Sequence, residues 1–124
     1  MRRYQRGTYF RGCINIRPTL AFEATVAALE EALGVSFSPD DEGKYEEFPA
    51  YRAFALGLEL ALLAPPRPED DVREVKDDSF QLLIQTRANV TEDGADIDLS
   101  ALIEAQLNAC TGLTVERMEH IDAP

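Results

Sequence analysis

The chain has no tryptophan, one histidine and two cysteines, and it carries 12 basic residues against 23 acidic ones. A lone histidine, His120, excludes a multi-histidine metal centre by count, and with no cysteine or serine close to it there is no basis for a histidine triad. The glycines, at 7, 12, 34, 43, 57, 94 and 112, are too scattered for a phosphate-cradling loop. Cys13 and Cys110 are expected to be separate buried thiols in a reducing compartment and not a disulfide. Long apolar runs are also missing. The longest, Ala53 to Ala64, is interrupted by Glu59 and falls well short of the about 20 residues that cross a bilayer. The basic start, Met1-Arg2-Arg3-Tyr4-Gln5-Arg6, is not followed by the apolar stretch of a signal peptide, so a cytoplasmic protein with no membrane segment is expected. Lysine and arginine gather only at Arg2, Arg3, Arg6 and Arg11, too few to form a nucleic-acid-binding face on an acidic chain.

What is abundant is carboxylate. The formal net charge is -11, and the acids concentrate in loops: Asp40, Asp41, Glu42, Glu46 and Glu47; then Glu69, Asp70, Asp71, Glu74, Asp77 and Asp78; then Glu92, Asp93 and Asp96. Such a distribution repels nucleic acid and anionic lipid and attracts basic protein surfaces. With 124 residues, 45% hydrophobic and 28% charged, the chain fits one globular domain, flanked by a basic arm at 1–7 and a short tail at 119–124.

Hydrophobic periodicity predicts the elements between the loops. From Tyr9 the residues alternate as in a half-buried strand, with Phe10, Gly12, Ile14 and Ile16 on one side and Tyr9, Arg11, Cys13, Asn15 and Arg17 on an open face. Thr19 offers an N-cap, Phe22, Val26, Leu29 and Leu33 form a helical stripe, and Gly34 ends it. Val35 to Phe37 reads as a short strand. Tyr51 to Ala64 reads as one long strand, because Phe54, Leu56, Leu58, Leu60 and Leu62 recur with period two, with Gly57 as a bulge or bend. Phe80 to Thr86 is another strand. Asp98 is positioned to cap a second helix with the stripe Leu99, Leu102, Ile103, Gln106, Leu107 and Cys110, closed by Gly112, and Leu113 to Met118 is the last strand. The order β-α-β-β-β-α-β, with one apolar stripe per helix, predicts an α+β two-layer sandwich: a mainly antiparallel sheet with both helices on one face, related to the ferredoxin-like plan.

No motif for catalysis, cofactor or metal emerges. The segment from Asp93 with Glu104 at its twelfth position fails as a calcium loop, since Ala95 and Ile97 occupy ligand positions and glycine is at the second position. An enzyme is not expected, because acid/base carboxylates need desolvation that hydrophilic loops do not supply. The loops do hold aromatic residues: Tyr45 and Phe48, with Tyr51 just beyond, sit among carboxylates as interface anchors do. A simple meander would place the loops at 40–48 and 91–96 at one end of the sheet and the loop at 69–78 at the other. The candidate partner-binding set is Tyr45 as anchor with Asp40, Asp41, Glu42, Glu46 and Glu47, supported by Asp70, Asp71, Asp93 and Asp96. The open sheet face, with Gln81 and Gln85, is a second surface.

A small acidic α+β chain of this order, with Tyr51-Arg52-Ala53-Phe54-Ala55-Leu56-Gly57-Leu58-Glu59-Leu60 followed by the Phe80 to Thr86 strand, resembles the immunity proteins of bacterial contact-dependent growth inhibition and related polymorphic toxin systems. The resemblance lies in size, charge and element order. It implies a protein that binds one cognate toxin domain, often a basic nuclease, and blocks its active site or substrate groove. The alternative is an acidic chaperone or adaptor for a secreted effector, which would expose an apolar groove lined by residues such as Leu58, Leu60 and Leu62.

Overall fold

The strand predicted from Tyr9 is present and pairs with three other strands of the observed sheet. A computed structural model describes residues 8–45, 47–74, 77–87 and 95–118. In chain order these form β1 (Tyr9–Ile16), α1 (Phe22–Leu33), β2 (Ser38–Pro39), β3 (Ala50–Ala55), β4 (Leu58–Leu63), a 3-10 turn (Pro68–Asp70), β5 (Phe80–Thr86), β6 (Asp96–Asp98), α2 (Ser100–Cys110) and β7 (Val115–Arg117). The sheet order is β2-β3-β4-β5-β1-β6, with β7 also on β1. β6 pairs in parallel with Tyr9, Phe10 and Arg11, and β7 antiparallel with Ile14, Asn15 and Ile16, so the two short strands share one edge of β1. The other pairings are antiparallel. Both helices pack on one face, where Val26, Leu29 and Leu107 meet Ile14, Ile16, Leu60, Leu62, Leu82 and Ile84. The fold is the expected α+β two-layer sandwich.

Local chemistry explains most of the boundaries. Gly34 ends α1 in the left-handed region, with φ 69° and ψ 35°, and donates its N–H to the Glu30 carbonyl. Thr19 does not cap this helix; Ala21 occupies the cap position, and the Thr25 hydroxyl donates back to the Ala21 carbonyl at 2.9 Å. The Asp98 carboxylate accepts the Ser100 N–H at 2.9 Å, which satisfies a first-turn donor of α2 as expected of a cap, although the helix begins one residue later than predicted. At the other end Thr111, not Gly112, closes α2, its hydroxyl donating to the Leu107 carbonyl at 2.7 Å. Ser100 Oγ accepts the Cys13 N–H at 2.9 Å and so fills the gap between β6 and β7. Gly12 makes that approach feasible: a Cβ there would lie 3.2 Å from Ile84 Cδ1 and 3.4 Å from Ser100 N and Oγ.

Several expectations require correction. Residues 35–37 do not form a strand, because Phe37 is buried in the core and donates its N–H to Glu30 Oε2 at 2.8 Å; β2 starts one residue later. β6 was not anticipated, since its Asp-Ile-Asp sequence is exposed throughout and carries no burial pattern. Cys13 is half-buried and Cys110 exposed, unpaired in both cases and not deep in the core. The largest correction concerns 51–64, which is a hairpin: β3 and β4 pair with Ala55 opposite Leu58, and Leu56 and Gly57 turn with φ of 57° and 78°. A two-residue turn leaves period-two alternation undisturbed, and Leu56 stands where Asn, Asp or Gly would normally announce it.

That extra reversal changes which loops are neighbours. β3 runs down, β4 up and β5 down relative to β1, so the connections at 40–49 and 64–79 leave the sheet at the same end, while β5 ends and β6 begins at the other. The expected pairing of 40–48 with 91–96 is thereby replaced. β4 also carries apolar residues on both faces, with Ala61 and Leu63 buried beside Glu59 on the side away from the helices. The face expected to be open is therefore partly covered by these loops.

Leu56 is 96% exposed and holds a backbone conformation that costs a branched residue about 1–2 kcal/mol. Leu56→Asn should raise the unfolding free energy by about 0.5–1 kcal/mol in urea titrations followed by circular dichroism. Unchanged or lower stability would refute the strain assigned to this turn.

Candidate functional site: the acidic end of the sheet

The loop after β2 is organised by Asp40. Its carboxylate accepts the backbone N–H groups of Glu42 and Lys44 at 3.1 and 2.9 Å, while its own N–H donates to Ala50 and extends the β2–β3 ladder. This local turn sends the chain back along the face opposite the helices. There Lys44 Nζ contacts Glu59 Oε1 at 2.7 Å, the Tyr45 hydroxyl donates to Glu59 Oε2 at 2.8 Å, and Gln85 Nε2 donates to the Tyr45 oxygen at 3.2 Å. Arg52, from the middle of β3, lies among three carboxylates: Glu59 at 3.1 Å, Glu42 at 3.3 Å and Asp40 at 3.4 Å. The side chains of Asp40 and Glu59 are only 3% and 5% exposed.

Electrostatics follow from this enclosure. Burial pushes the Glu59 carboxyl up, but hydrogen bonds from Lys44 and Tyr45 and the charges of Lys44 and Arg52 outweigh it and hold the group below its ordinary value. Tyr45 is shifted the other way, raised by burial and by donating to the Glu59 carboxylate, so the phenol stays protonated. Burial disfavours the Arg52 cation, yet Glu59 and Glu42 raise its pKa overall. The cluster is a satisfied ion network, with charge and hydrogen-bond partners on each side.

The second loop is internally braced in a similar way. Arg73 forms a bidentate pair with Asp71, both contacts 2.9 Å, and donates to the Asp77 carbonyl at 3.2 Å. Asp77 accepts the Ser79 N–H at 2.9 Å; that bond and one from the Ser79 hydroxyl lower its pKa against the effect of burial, with help from Arg73 and Arg17. The loops join where the Ala64 N–H donates to the Pro49 carbonyl at 2.9 Å. On their outer surface Asp41, Glu69, Asp70, Glu74 and Asp78 are exposed. Arg67 approaches Glu69 and Asp70 only at 3.9 and 3.7 Å, from an exposed position where ion pairs contribute little.

The predicted residues thus separate into groups. Asp40, Asp41, Glu42, Tyr45 and Glu47 share one end with Asp70 and Asp71. Within this set Asp40, Glu42, Tyr45 and Asp71 have internal partners, and Tyr45, expected to be an anchor for a partner, is committed to Glu59. Asp96 is at the opposite end, paired with Arg11 at 2.9 Å. Glu46 and Asp93 lie outside the described residues. Sequence reasoning missed Glu59, Arg52 and Lys44. The available signal was Glu59 itself, a charge within an apolar run, which once buried demands partners.

Among the described residues no group of three or more His, Cys, Asp or Glu is placed to hold a metal ion, and no helix is long and apolar enough to cross a membrane. No protein-family model matches the chain, and no curated protein matches it significantly in sequence.

Glu59→Gln leaves Arg52 and Lys44 undercompensated and should lower stability at neutral pH by about 2–3 kcal/mol. Since the folded carboxyl ionises below the unfolded value of about 4.3, its contribution is complete above that value and is lost as pH falls through the folded value. Urea titrations across pH should therefore show wild type and variant converging below about pH 4. A stability gap that persists in acid would sink this assignment.

Proposed function

We propose that this protein binds and neutralises a basic toxin domain, in the manner of the immunity proteins of polymorphic toxin systems, using the acidic end of its sheet. The observation that supports this reading is the division of charge at that end. The buried acids Asp40 and Glu59 are neutralised internally and hold the first loop in place, while Asp41, Glu69, Asp70, Glu74 and Asp78 face solvent. Apart from the long, exposed contacts of Arg67 with Glu69 and Asp70, this outer layer is unpaired among the described residues and meets a basic surface without breaking the buried ion pairs. Complementary potentials raise association rates to about 10⁸ M⁻¹s⁻¹ or more at low salt, which suits a protein that must reach its target before the target acts. The phosphate-binding groove of a nuclease is one surface of that kind, and occupying it would block the nucleic-acid substrate.

The chaperone reading needs an exposed apolar groove at Leu58, Leu60 and Leu62. Leu60 and Leu62 are buried and Leu58 packs against the same core, so these side chains are not presented to a client segment.

Capture from the native source with this protein as bait, followed by salt washes and mass spectrometry, tests the proposal. A single folded basic domain should be retained at low salt. Replacing Asp41, Glu69, Asp70, Glu74 and Asp78 together by Asn or Gln should weaken its binding by at least about tenfold and flatten the salt dependence. Retention of unfolded segments, or binding indifferent to these five replacements, would overturn the reading. Asp40 and Glu59 are unsuitable for this test because their loss would disturb the loop itself.

A further inference from the structure

Between the two acidic loops lies a cleft of about 130 Å³, walled by Phe48 from the first loop and by Arg73 and Asp77 from the second. Its floor is the sheet face away from the helices, where Asn15 of β1 and Gln81 of β5 are direct register partners. Side chains opposite one another on adjacent strands are about 5 Å apart and project the same way. Both residues are half-buried, and neither carboxamide makes a hydrogen bond to another described residue. Each amide thus brings an acceptor and two donors to the cleft without a hydrogen-bond partner among the described residues. Ser79 adds a hydroxyl beside them.

Size and charge restrict what fits. The volume is well below the roughly 300–1,000 Å³ of small-molecule sites, and it suits one long side chain. Among the described residues Glu47, Asp71, Glu74, Asp77 and Asp78 belong to the surrounding loop segments, against the cations Arg73 and Arg17. Counting Lys76 of the same sequence segment as a third cation still leaves the balance negative, and Arg73 in the cleft wall is already paired with Asp71. A planar guanidinium meets several acceptors at once and stacks on an aromatic ring. The protein makes such contacts itself, with Arg52 and Arg87 over the Phe54 ring at 5.0 and 4.5 Å.

We infer that this cleft is a receptor for a single arginine side chain of the partner, its guanidinium held by the Asn15 and Gln81 carbonyl oxygens and Asp77, against the Phe48 ring. The inference rests on the proposed binding of a basic domain and supplies its anchor: the exposed acids steer the partner, and the cleft fixes its register. Anchors seated in desolvated pockets and ringed by weaker contacts are where binding energy concentrates at interfaces.

The test uses the whole chain, labelled with ¹⁵N and titrated with N-acetylarginine amide, with N-acetylglutamine amide and N-acetylglutamate as comparisons. The arginine probe should shift the side-chain NH₂ signals of Asn15 and Gln81 and the Ser79 amide saturably. Gln81→Leu, and independently Asn15→Leu, should weaken that response by about tenfold, the effect of losing one charge-assisted hydrogen bond. Absence of saturable shifts at these positions, or equal shifts with the glutamine or glutamate probe, would overturn the inference. The outcomes also separate it from the functional proposal. A captured basic partner that binds Gln81→Leu as tightly as wild type removes the cleft and leaves the acidic surface standing. Saturable arginine binding without any basic partner does the reverse.

Discussion

Glu59 is the residue on which the arrangement of this end of the molecule depends. It sits in a strand that is otherwise apolar, paired with Phe54 on one side and Gln85 on the other, and it is almost wholly buried. An ionised carboxylate in that position is tolerable only if cations and donors are brought to it. Arg52 comes from the neighbouring strand, but Lys44 and Tyr45 come from the loop, and they draw its backbone down over the sheet. On the same face Ala61 and Leu63 are buried, with Phe48 of this loop and Pro65 and Arg73 of the next connection around Leu63.

Topology then determines what this loop has beside it. A hairpin turn at Leu56 and Gly57 adds one reversal, and each reversal exchanges the end of the sheet at which the following connection lies. With it, the loop at 64–79 leaves the sheet at the same end as the loop at 40–49 and meets it at the Ala64–Pro49 hydrogen bond. Without it, the two loops would lie at opposite ends, and the cleft between Phe48 and Arg73 would not exist.

The two kinds of carboxylate at this end differ in what they can do. Those with buried partners, Asp40, Glu59 and the bidentate Asp71, maintain shape, and neutralising them would alter the loop before it altered any complex. The exposed ones are weakly restrained and well hydrated, so their effect on a partner is long-ranged and sensitive to salt. Tyr45 belongs to the first kind, although its place among acids in the sequence resembles an interface anchor. The amides of Asn15 and Gln81, which have no hydrogen-bond partner among the described residues, are polar groups that the fold leaves available.

The sequence alone determined the strands and helices whose signals are local: β1 and β5 by alternation, α1 by its stripe and the left-handed Gly34, α2 by its apolar face and Asp98, and from these the α+β two-layer class. It also determined the acidic character of the loops, because charge is a sum over residues. Only the tertiary structure decided that 51–64 is two strands, that β6 completes an edge, and which loops meet. Alternation has the same period on both sides of a two-residue turn, and a three-residue exposed strand is specified by its neighbour's free backbone groups, not by its own residues. The separation of structural from available acids was likewise out of reach. Whether a carboxylate is buried against Arg52 or left to solvent depends on pairings between residues remote in sequence, such as Asp40 with Arg52 and Tyr45 with Gln85, which no local pattern records.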